Sequence, residues 1–216
     1  MKSVLVIGMG RFGRHLATRL QDMGNDVMIV DRDAALVEQY SGRFTDSQIG
    51  DCTNEDVVRS LVSNDFDLYF VTIGEDFQSS LVITSLLKQY GARCVIAKSS
   101  QDIQHDLLLK IGADEVVYPE KEEAEKLAIR YNQKNIFDYI QLSSDYSICE
   151  APILKEWAGK SIVDIGVRKK YNINIIAIKN GDVLNPNPGP EYVFRASDHV
   201  MIIGRSSDIF RLTSKT

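Results

Sequence analysis

A glycine-rich turn near the start of the chain has the residue types and spacing of a phosphate-binding site. Gly8, Gly10 and Gly13 form a GxGxxG motif, which lies between a strand-like apolar run and an amphipathic, helix-like run. Gly8 permits the tight turn, Gly10 lets a pyrophosphate approach the backbone, and Gly13 allows close packing of helix on strand. The N-terminus of the helix offers free N–H groups and partial positive charge to the phosphates. This context predicts a nucleotide site.

Two charged residues refine the expected ligand. Asp31 stands at the end of the second apolar run, where an acid accepts hydrogen bonds from a ribose diol and favours NAD(H), ADP or ATP over NADP. Arg11 lies inside the turn, and a guanidinium pairs bidentately with the oxygens of a terminal phosphate. The structural alternative is that the glycines only form a turn, Asp31 only caps a helix and Arg11 is solvated.

The first two-thirds of the chain alternates short apolar runs with amphipathic stretches, a pattern typical of βαβ units. The runs that predict strands cover residues 4–7, 27–30, 68–71, 94–97 and 115–118, with a weaker one before Gly50. We therefore predict an α/β fold, a Rossmann-type doubly wound parallel sheet, over residues 1–135.

Helix signals in this region are of two kinds. The spacing of Phe12, Leu16, Leu20 and Met23 predicts one helix face packed on the sheet, with Gly24 ending the helix. Thr53, three positions before Asp56, resembles a capping box with Asp in place of Glu.

The pattern changes towards the C-terminus, where we predict a smaller α+β subdomain over residues 136–216. A charged connector helix is expected over 120–132, and a further helix over 162–171. Asn180-Gly181 predicts a hairpin turn, and the segment 185–190 is rich in proline. Strand-like runs cover residues 139–142, 146–151, 173–178 and 200–203.

Composition excludes several classes of protein. The 25 basic and 30 acidic residues give a net charge of −5, the wrong sign for coating a nucleic acid. Three scattered cysteines without CxxC spacing favour reduced thiols in a cytosolic protein. The apolar run at 4–7 is too short for a signal peptide, and no run approaches the roughly 20 residues that span a bilayer. We therefore expect neither a signal peptide nor a membrane span.

The combination of motifs resembles the RCK domain, the regulator of potassium conductance in Trk and Ktr potassium-uptake systems, over nearly the whole chain. The similar segments of the first domain are residues 8–13, 30–31, 50–53, 111–114 and 118–120, and those of the C-terminal subdomain are 159–168 and 175–178. Because a single copy is present, the chain is more similar to the short Ktr-type gating subunit than to the repeated Trk form.

The resemblance implies a homo-oligomer, dimers assembled into a tetrameric or octameric ring, on the cytoplasmic face of a membrane potassium channel or transporter subunit. ATP and ADP, or NAD(H), would switch its conformation. Arg11 would contact the terminal phosphate, Asp31 the ribose and Lys98 the phosphates, with Asp51 and Cys52 beside the adenine. The full set of implied nucleotide-binding residues is Gly8, Met9, Gly10, Arg11, Phe12, Gly13, Asp31, Arg32, Asp51, Cys52, Ile73, Gly74 and Lys98.

Two further sites are implied by the resemblance. Glu120 matches an acid that helps to hold Mg²⁺ or Ca²⁺ near the γ-phosphate; alternatively, it is an acidic first-turn residue favoured by the helix dipole. Some relatives bind cyclic di-AMP at a two-fold interface of the C-terminal subdomain, and the matching residues are Ile162, Ile165, Arg168, Asn174 and Pro190. The alternative for Arg168 is a solvated cation near a helix end.

The alternative function is a small NAD-dependent oxidoreductase, since this fold supports many activities. Such an enzyme needs an acid–base group beside the nicotinamide. Of the three histidines, His15, His105 and His199, only His105 is a plausible candidate, and each is better explained as a surface or packing residue. P-loop and HExxH motifs are absent from the sequence. We therefore expect a regulatory protein rather than an enzyme.

Overall fold

A computed structural model describes residues 1–132 and 136–214. The chain forms two compact units, Met1–Glu120 and Lys121–Thr216. The predicted domain boundary follows residue 135, which lies outside the described ranges. The division in the structure comes earlier, so most of the connector helix belongs to the second unit.

The first unit is a six-stranded parallel sheet with the strand order β3-β2-β1-β4-β5-β6. Its strands are β1 (Ser3–Ile7), β2 (Asp26–Asp31), β3 (Asp46–Ile49), β4 (Leu68–Val71), β5 (Val95–Lys98) and β6 (Glu115–Val117). Its helices are α1 (Arg11–Asp22), α2 (Ala34–Tyr40), α3 (Glu55–Val62), α4 (Phe77–Gln89) and α5 (Asp102–Lys110). This order confirms the predicted Rossmann-type fold. It also puts the topological switch point between β1 and β4, where ligands of such sheets bind.

Both faces of the sheet are buried, because successive side chains of a strand point to opposite sides. Val4 and Val6 of β1 belong to a core that includes Ala17 of α1. Leu5 and Ile7 belong to a second core, which includes residues of α3, α4 and α5. The continuous apolar runs in the sequence are therefore those of a parallel sheet covered on both sides.

Two helix-end predictions are wrong in detail. Met23 is 66% exposed because α1 ends at Asp22, although Gly24 does terminate the helix with a positive φ of 83°. Helix α3 is capped by Asn54, whose side chain accepts the N–H of Asp56. Thr53 is not the cap, since its backbone and hydroxyl groups are both bonded to Asp51.

The second unit is built on a five-stranded antiparallel sheet with the order β10-β9-β11-β8-β7. The strands are β7 (Asp138–Gln141), β8 (Tyr146–Pro152), β9 (Ile173–Asn180), β10 (Val183–Pro186) and β11 (His199–Arg205). The helices are α6 (Pro119–Asn132), α7 (Ile162–Ile165), α8 (Val167–Tyr171) and α9 (Ser206–Thr213). Its core surrounds Trp157, Ile173, Phe194 and Ile202. The predicted α+β class of this subdomain is confirmed.

The single helix predicted over 162–171 is wrong, because Gly166 adopts a left-handed conformation (φ 64°) and separates α7 from α8. The Asn180-Gly181 hairpin is confirmed, with Asn180 paired to Val183. The returning strand β10 occupies part of the segment noted only as rich in proline. In the ranges that the structure describes, no helix is both long enough and apolar enough to cross a bilayer.

Candidate functional site

The glycine turn between β1 and α1 is held by very close packing. Gly8 has a φ of 100°, and its N–H donates to the carbonyl of Val30 at 2.8 Å. A Cβ atom on Gly13 would lie 2.0 Å from the carbonyl oxygen of Gly8. The buried hydroxyl of Thr72 donates to the carbonyls of Gly8 (2.6 Å) and Ile7 (3.0 Å). Sequence reasoning missed Thr72, because a threonine at the end of a strand carries no motif.

Gly10 differs from the other two glycines of the motif. It is the N-cap residue of α1, it is exposed, and a Cβ atom there would meet nothing within 4 Å. Within the described part of the chain, no side chain caps this end of α1. The first-turn N–H groups therefore open towards space that an anion can occupy.

Asp31, at the end of β2, stabilises the turn by accepting hydrogen bonds from backbone N–H groups. One carboxylate oxygen accepts the N–H of Met9 at 2.6 Å, and the other accepts the N–H of Asp33 at 2.9 Å. Each carboxylate oxygen has two lone pairs, so Asp31 retains acceptor capacity for a ribose hydroxyl. The side chain thus has a structural contact in addition to its predicted role with the ligand.

Asp51 and Cys52 follow β3 and have different environments. The N–H and hydroxyl of Thr53 both donate to one oxygen of Asp51, at 2.9 and 2.7 Å, and lower the pKa of this carboxyl. Burial, reinforced by the charges of Asp51 and Asp31, raises the pKa of the Cys52 thiol to about 12. Cys52 is therefore a packing residue rather than a nucleophile.

These segments enclose a cavity of about 70 Å³ at the carboxyl ends of the central strands. Its lining is Ile7, Gly8, Val30, Asp31, Arg32, Gly50, Asp51, Cys52, Thr53, Ile73, Asp76, Ser79 and Ile83. Six of the predicted site residues meet here. The cavity is smaller than the roughly 300–1,000 Å³ of typical ligand pockets, so only part of a nucleotide would enter it. Asp76 and Ser79 were not predicted, although their spacing is that of a helix cap and its N3 position.

A second group of predicted residues surrounds the Lys98 ammonium. Lys98 Nζ lies 2.6 Å from Glu120 Oε1 and 5.8 Å from the centre of the Phe12 ring. The Lys98 side chain is 12% exposed and that of Glu120 is 61% exposed. A Cβ atom on Gly74 would lie 3.1 Å from Nζ, so this glycine leaves room for the lysine.

The charges of this group favour the ionised form of Glu120. The hydrogen bond from Lys98, together with the charge of Arg11, holds the pKa of Glu120 below its usual range. Glu120, the predicted metal ligand, is thus paired with the ammonium group of Lys98 in the structure. Among residues 1–132 and 136–214, no three His, Cys, Asp or Glu side chains are grouped to hold a metal ion.

The residues considered for cyclic di-AMP lie on α7, α8, β9 and the loop after β10 in the second unit. Ile162 and Ile165 are half-buried on α7, and the carbonyl of Pro190 accepts the N–H of Val163 at 3.0 Å. The structure therefore joins α7 to the loop that carries Pro190. Arg168 and Asn174 are exposed residues of α8 and β9.

No histidine is found among the described residues that line the cavity. His15 is an exposed residue of α1, and His105 lies on α5, 3.5 Å from Asp106. His199 Nδ1 lies 3.0 Å from Glu150 Oε1 in the second unit.

Residues 4–119 match the TrkA-N domain, and residues 150–215 match the TrkA-C domain. The chain belongs to the Trk/Ktr family of potassium-uptake proteins. This TrkA-N/TrkA-C chain is 36% identical over 214 residues to the Ktr system potassium uptake protein C of Bacillus subtilis (strain 168), and the match covers 99% of this chain and 97% of the relative. The resemblance that the motifs suggested is confirmed.

Solved structures show the same fold at low sequence identity. The GsuK channel superposes with a TM-score of 0.70 at 19% identity, over 96% of this chain and 38% of that one. The GsuK channel bound to NAD superposes with a TM-score of 0.65 at 18% identity, over 98% of this chain and 39% of that one. The TrkA-N/TrkA-C chain thus spans well under half the length of these channels.

An added methyl group should cost much more stability at Gly13 than at Gly10. Gly13→Ala would force a Cβ atom against a backbone carbonyl and should lower the free energy of unfolding by roughly 1–3 kcal/mol, the usual cost of overpacking. Gly10→Ala, at the open position, should cost less than about 1 kcal/mol. Urea unfolding of both variants measures the difference. Equal losses would mean that α1 does not pack on the turn as described.

Proposed function

We propose that this protein is a cytoplasmic regulatory subunit that binds an adenine nucleotide at the glycine turn and gates a membrane potassium-uptake channel or transporter from its inner face. One observation carries the proposal: the open, uncapped N-terminus of α1 lies beside a cavity that Asp31 lines. Full-length similarity to a Ktr potassium uptake protein supports the connection with potassium.

The chemistry of the turn suits a phosphate tail, and Asp31 suits a ribose with free hydroxyls. ATP, ADP and NAD(H) share both features. The GsuK channel, which has this fold, has been solved with NAD bound, and this supports a dinucleotide as one candidate. The small cavity would accept the ribose or the edge of the base, and the phosphates would run along the α1 N-terminus towards Lys98.

The ion pair between Lys98 and Glu120 supplies a means of sensing phosphate. A phosphate that reaches Lys98 Nζ competes with the Glu120 carboxylate for the same ammonium. Once displaced, Glu120 would face the phosphate as a second anion, and a divalent cation, Mg²⁺ or Ca²⁺, would then allow both to share the site. Because Glu120 is in the first turn of α6, this exchange would connect nucleotide binding to that helix.

We also propose that this protein assembles with further copies of itself and binds a second ligand, cyclic di-AMP. We infer homodimers arranged in a tetrameric or octameric ring. Large apolar side chains such as Leu127 and Tyr131 of α6 and Val183 and Val193 of the second unit are exposed, which favours association with further chains. Cyclic di-AMP at the residues around α7 remains a proposal, supported by the contact between α7 and the Pro190 loop.

The proposal is tested with the purified full chain and with its membrane partner. Calorimetry should detect binding of ATP, ADP or NADH, and potassium flux through vesicles containing the membrane subunit should change with nucleotide only when this chain is added. A potassium flux that is the same with and without nucleotide would contradict the gating role. Steady hydride transfer from NADH to a keto acid, or ATP hydrolysis at about 1 per second or faster, would favour the oxidoreductase or another enzyme instead.

Asp31 should contribute to the binding of every adenine nucleotide. Asp31→Asn removes the charge but keeps an oxygen that can accept the N–H of Met9, so it disturbs the turn less than Asp31→Ala. We expect it to weaken ATP and NADH together by roughly 1–3 kcal/mol, because both present the same ribose diol. Asp33→Asn is the matched control, since asparagine also caps α2 and Asp33 does not line the cavity. Unchanged affinity for both nucleotides in Asp31→Asn removes Asp31 from the site.

Arg11 and Glu120 should distinguish ATP from ADP. Only a group that contacts the γ-phosphate can give these two ligands different affinities. Arg11→Ala should therefore weaken ATP more than ADP. Glu120→Gln should abolish any enhancement of ATP binding by Mg²⁺ or Ca²⁺ while sparing ADP.

Calorimetry with and without the cation measures both effects. Matched controls are Arg19→Ala in the last turn of α1 and Glu123→Gln, which is exposed on α6. Equal weakening of ATP and ADP by Arg11→Ala would make Arg11 a general phosphate anchor and place the switch elsewhere.

A further inference from the structure

Two neighbouring residues at the carboxyl end of β2 favour different riboses. An acid at the position of Asp31 selects a ribose with free hydroxyls, whereas an arginine near it accommodates the 2′-phosphate of NADP. Arg32 directly follows Asp31, and both line the cavity. The two residues by themselves therefore leave the choice between NAD(H) and NADP(H) open.

The structure adds a third residue to this choice. Arg32 Nη1 lies 3.9 Å from Asp76 Oδ2, and Asp76 lines the same cavity from the loop that follows β4. The side chains are 68% and 40% exposed, respectively, so the pair lies at the mouth of the cavity and not in its floor. The guanidinium that could receive a 2′-phosphate already faces a carboxylate of the protein.

Asp76 is held by two hydrogen bonds, whereas the side chain of Arg32 is largely exposed. Asp76 is the N-cap of α4: one oxygen accepts the N–H of Ser79 at 3.0 Å, and the other accepts the Ser79 hydroxyl at 2.6 Å. These two bonds lower the pKa of Asp76 and so favour its ionised form. The carboxylate is thus a negative charge held in place beside the guanidinium of Arg32.

The balance of charge at the cavity also opposes an extra phosphate. Asp31, Asp51 and Asp76 contribute three carboxylates, and Arg32 is the basic residue among the described residues of the lining. A 2′-phosphate carries between one and two negative charges near neutral pH. It would have to separate Arg32 from Asp76 and then lie among three acids. A free 2′-hydroxyl meets no such opposition and can donate to Asp31.

We propose that Asp76 is a specificity-determining residue, which pairs with Arg32 and thereby excludes adenine nucleotides that carry a 2′-phosphate. The inference rests on the proposed nucleotide site and deepens it by naming the ligand class that the site rejects. Asp76 does so through Arg32, and its function in specificity is separate from its function as the cap of α4.

Asp76→Asn is the informative variant, because asparagine caps helices as well as aspartate does and only the charge is lost. Calorimetry on the full chain compares NADH with NADPH, and 5′-AMP with adenosine 2′,5′-bisphosphate, which isolates the 2′-phosphate from the nicotinamide. The wild-type chain should prefer the ligand without the 2′-phosphate in each pair. Asp76→Asn should strengthen both 2′-phosphorylated ligands by roughly two- to fivefold, the scale expected for an exposed charge pair, and so narrow the preference for the ligand without the 2′-phosphate in each pair.

Two controls make the test specific. Asp65→Asn removes a comparable exposed pair, in which Asp65 lies 2.7 Å from Arg93 outside the cavity, and its positive φ of 54° is one that asparagine tolerates. It should leave all four affinities unchanged. In the double variant Arg32→Ala/Asp76→Asn, the gain for the 2′-phosphorylated ligands should disappear, because the receiving cation is gone.

The outcomes separate this inference from the function on which it rests. If NADH and 5′-AMP bind but Asp76→Asn gives no gain for the 2′-phosphorylated ligands, the role of Asp76 is overturned and the nucleotide site stands. If the gain persists without Arg32, it is a general effect of charge, and the pair is not the determinant. If no adenine nucleotide binds to the wild-type chain, the proposed function fails, and this inference fails with it.

Discussion

The close approach of α1 to the turn after β1 is the constraint on which the site depends. At Gly13 there is no space for a side chain between the helix and the carbonyl of Gly8. The hydroxyl of Thr72, which directly follows the neighbouring strand β4, donates a hydrogen bond to the same carbonyl. This close packing places the N-terminus of α1 at the carboxyl edge of the sheet, where its free N–H groups and the helix dipole both favour an anion. Without it, the same glycines would form a turn that has no particular affinity for an anion.

Charge is distributed unevenly around this turn, and the distribution explains why a nucleotide suits it. Around the cavity, Asp31, Asp51 and Asp76 make an acidic rim that accepts hydrogen bonds from hydroxyl or amino groups. Nearer the start of α1, Arg11 and Lys98 provide cations for phosphates, with Glu120 neutralising Lys98. A ligand with a donor-rich nucleoside at one end and an anionic tail at the other complements both regions. Most side chains in these groups are also held by backbone N–H groups or by one another, so the proposed ligand would have to reorganise an existing hydrogen-bond network.

The second unit obeys simpler packing rules. Buried residues alternate along β8 and β11 and pack on Trp157 and Phe194. Buried Asp198 accepts the Asn180 side chain at 2.6 Å, the Tyr192 hydroxyl at 2.9 Å and the N–H of Arg195 at 2.8 Å. It therefore joins the β9–β10 hairpin to the loop before β11. A fully buried carboxylate needs several such partners, which makes Asp198 a structural residue of this unit.

The amino-acid sequence by itself determined the fold class, the position of the glycine turn and the identity of Asp31 as the acid after β2. These features are local: a strand, a turn and a helix follow one another along the chain, and apolar periodicity reports burial directly. It also identified the hairpin at Asn180-Gly181, because only a few residue types tolerate the required φ. Local signals failed at Thr53, which bonds to Asp51 instead of capping α3, and at Gly166, which divides a continuous periodic run into two helices.

Only the tertiary structure decided which charged side chains meet. Arg32 and Asp76 come from different loops, and Lys98 and Glu120 come from strand β5 and helix α6. Their pairing follows from the strand order of the sheet rather than from any spacing along the chain. The same is true of Thr72, whose hydroxyl reaches a turn 64 residues away. A contact between residues far apart in the chain leaves no periodic pattern in a single sequence, because each residue fits its local segment whether or not its partner is present. The residues proposed to bind a nucleotide could thus be predicted from the chain, but the pair proposed to select among nucleotides depends on the fold that brings its members together.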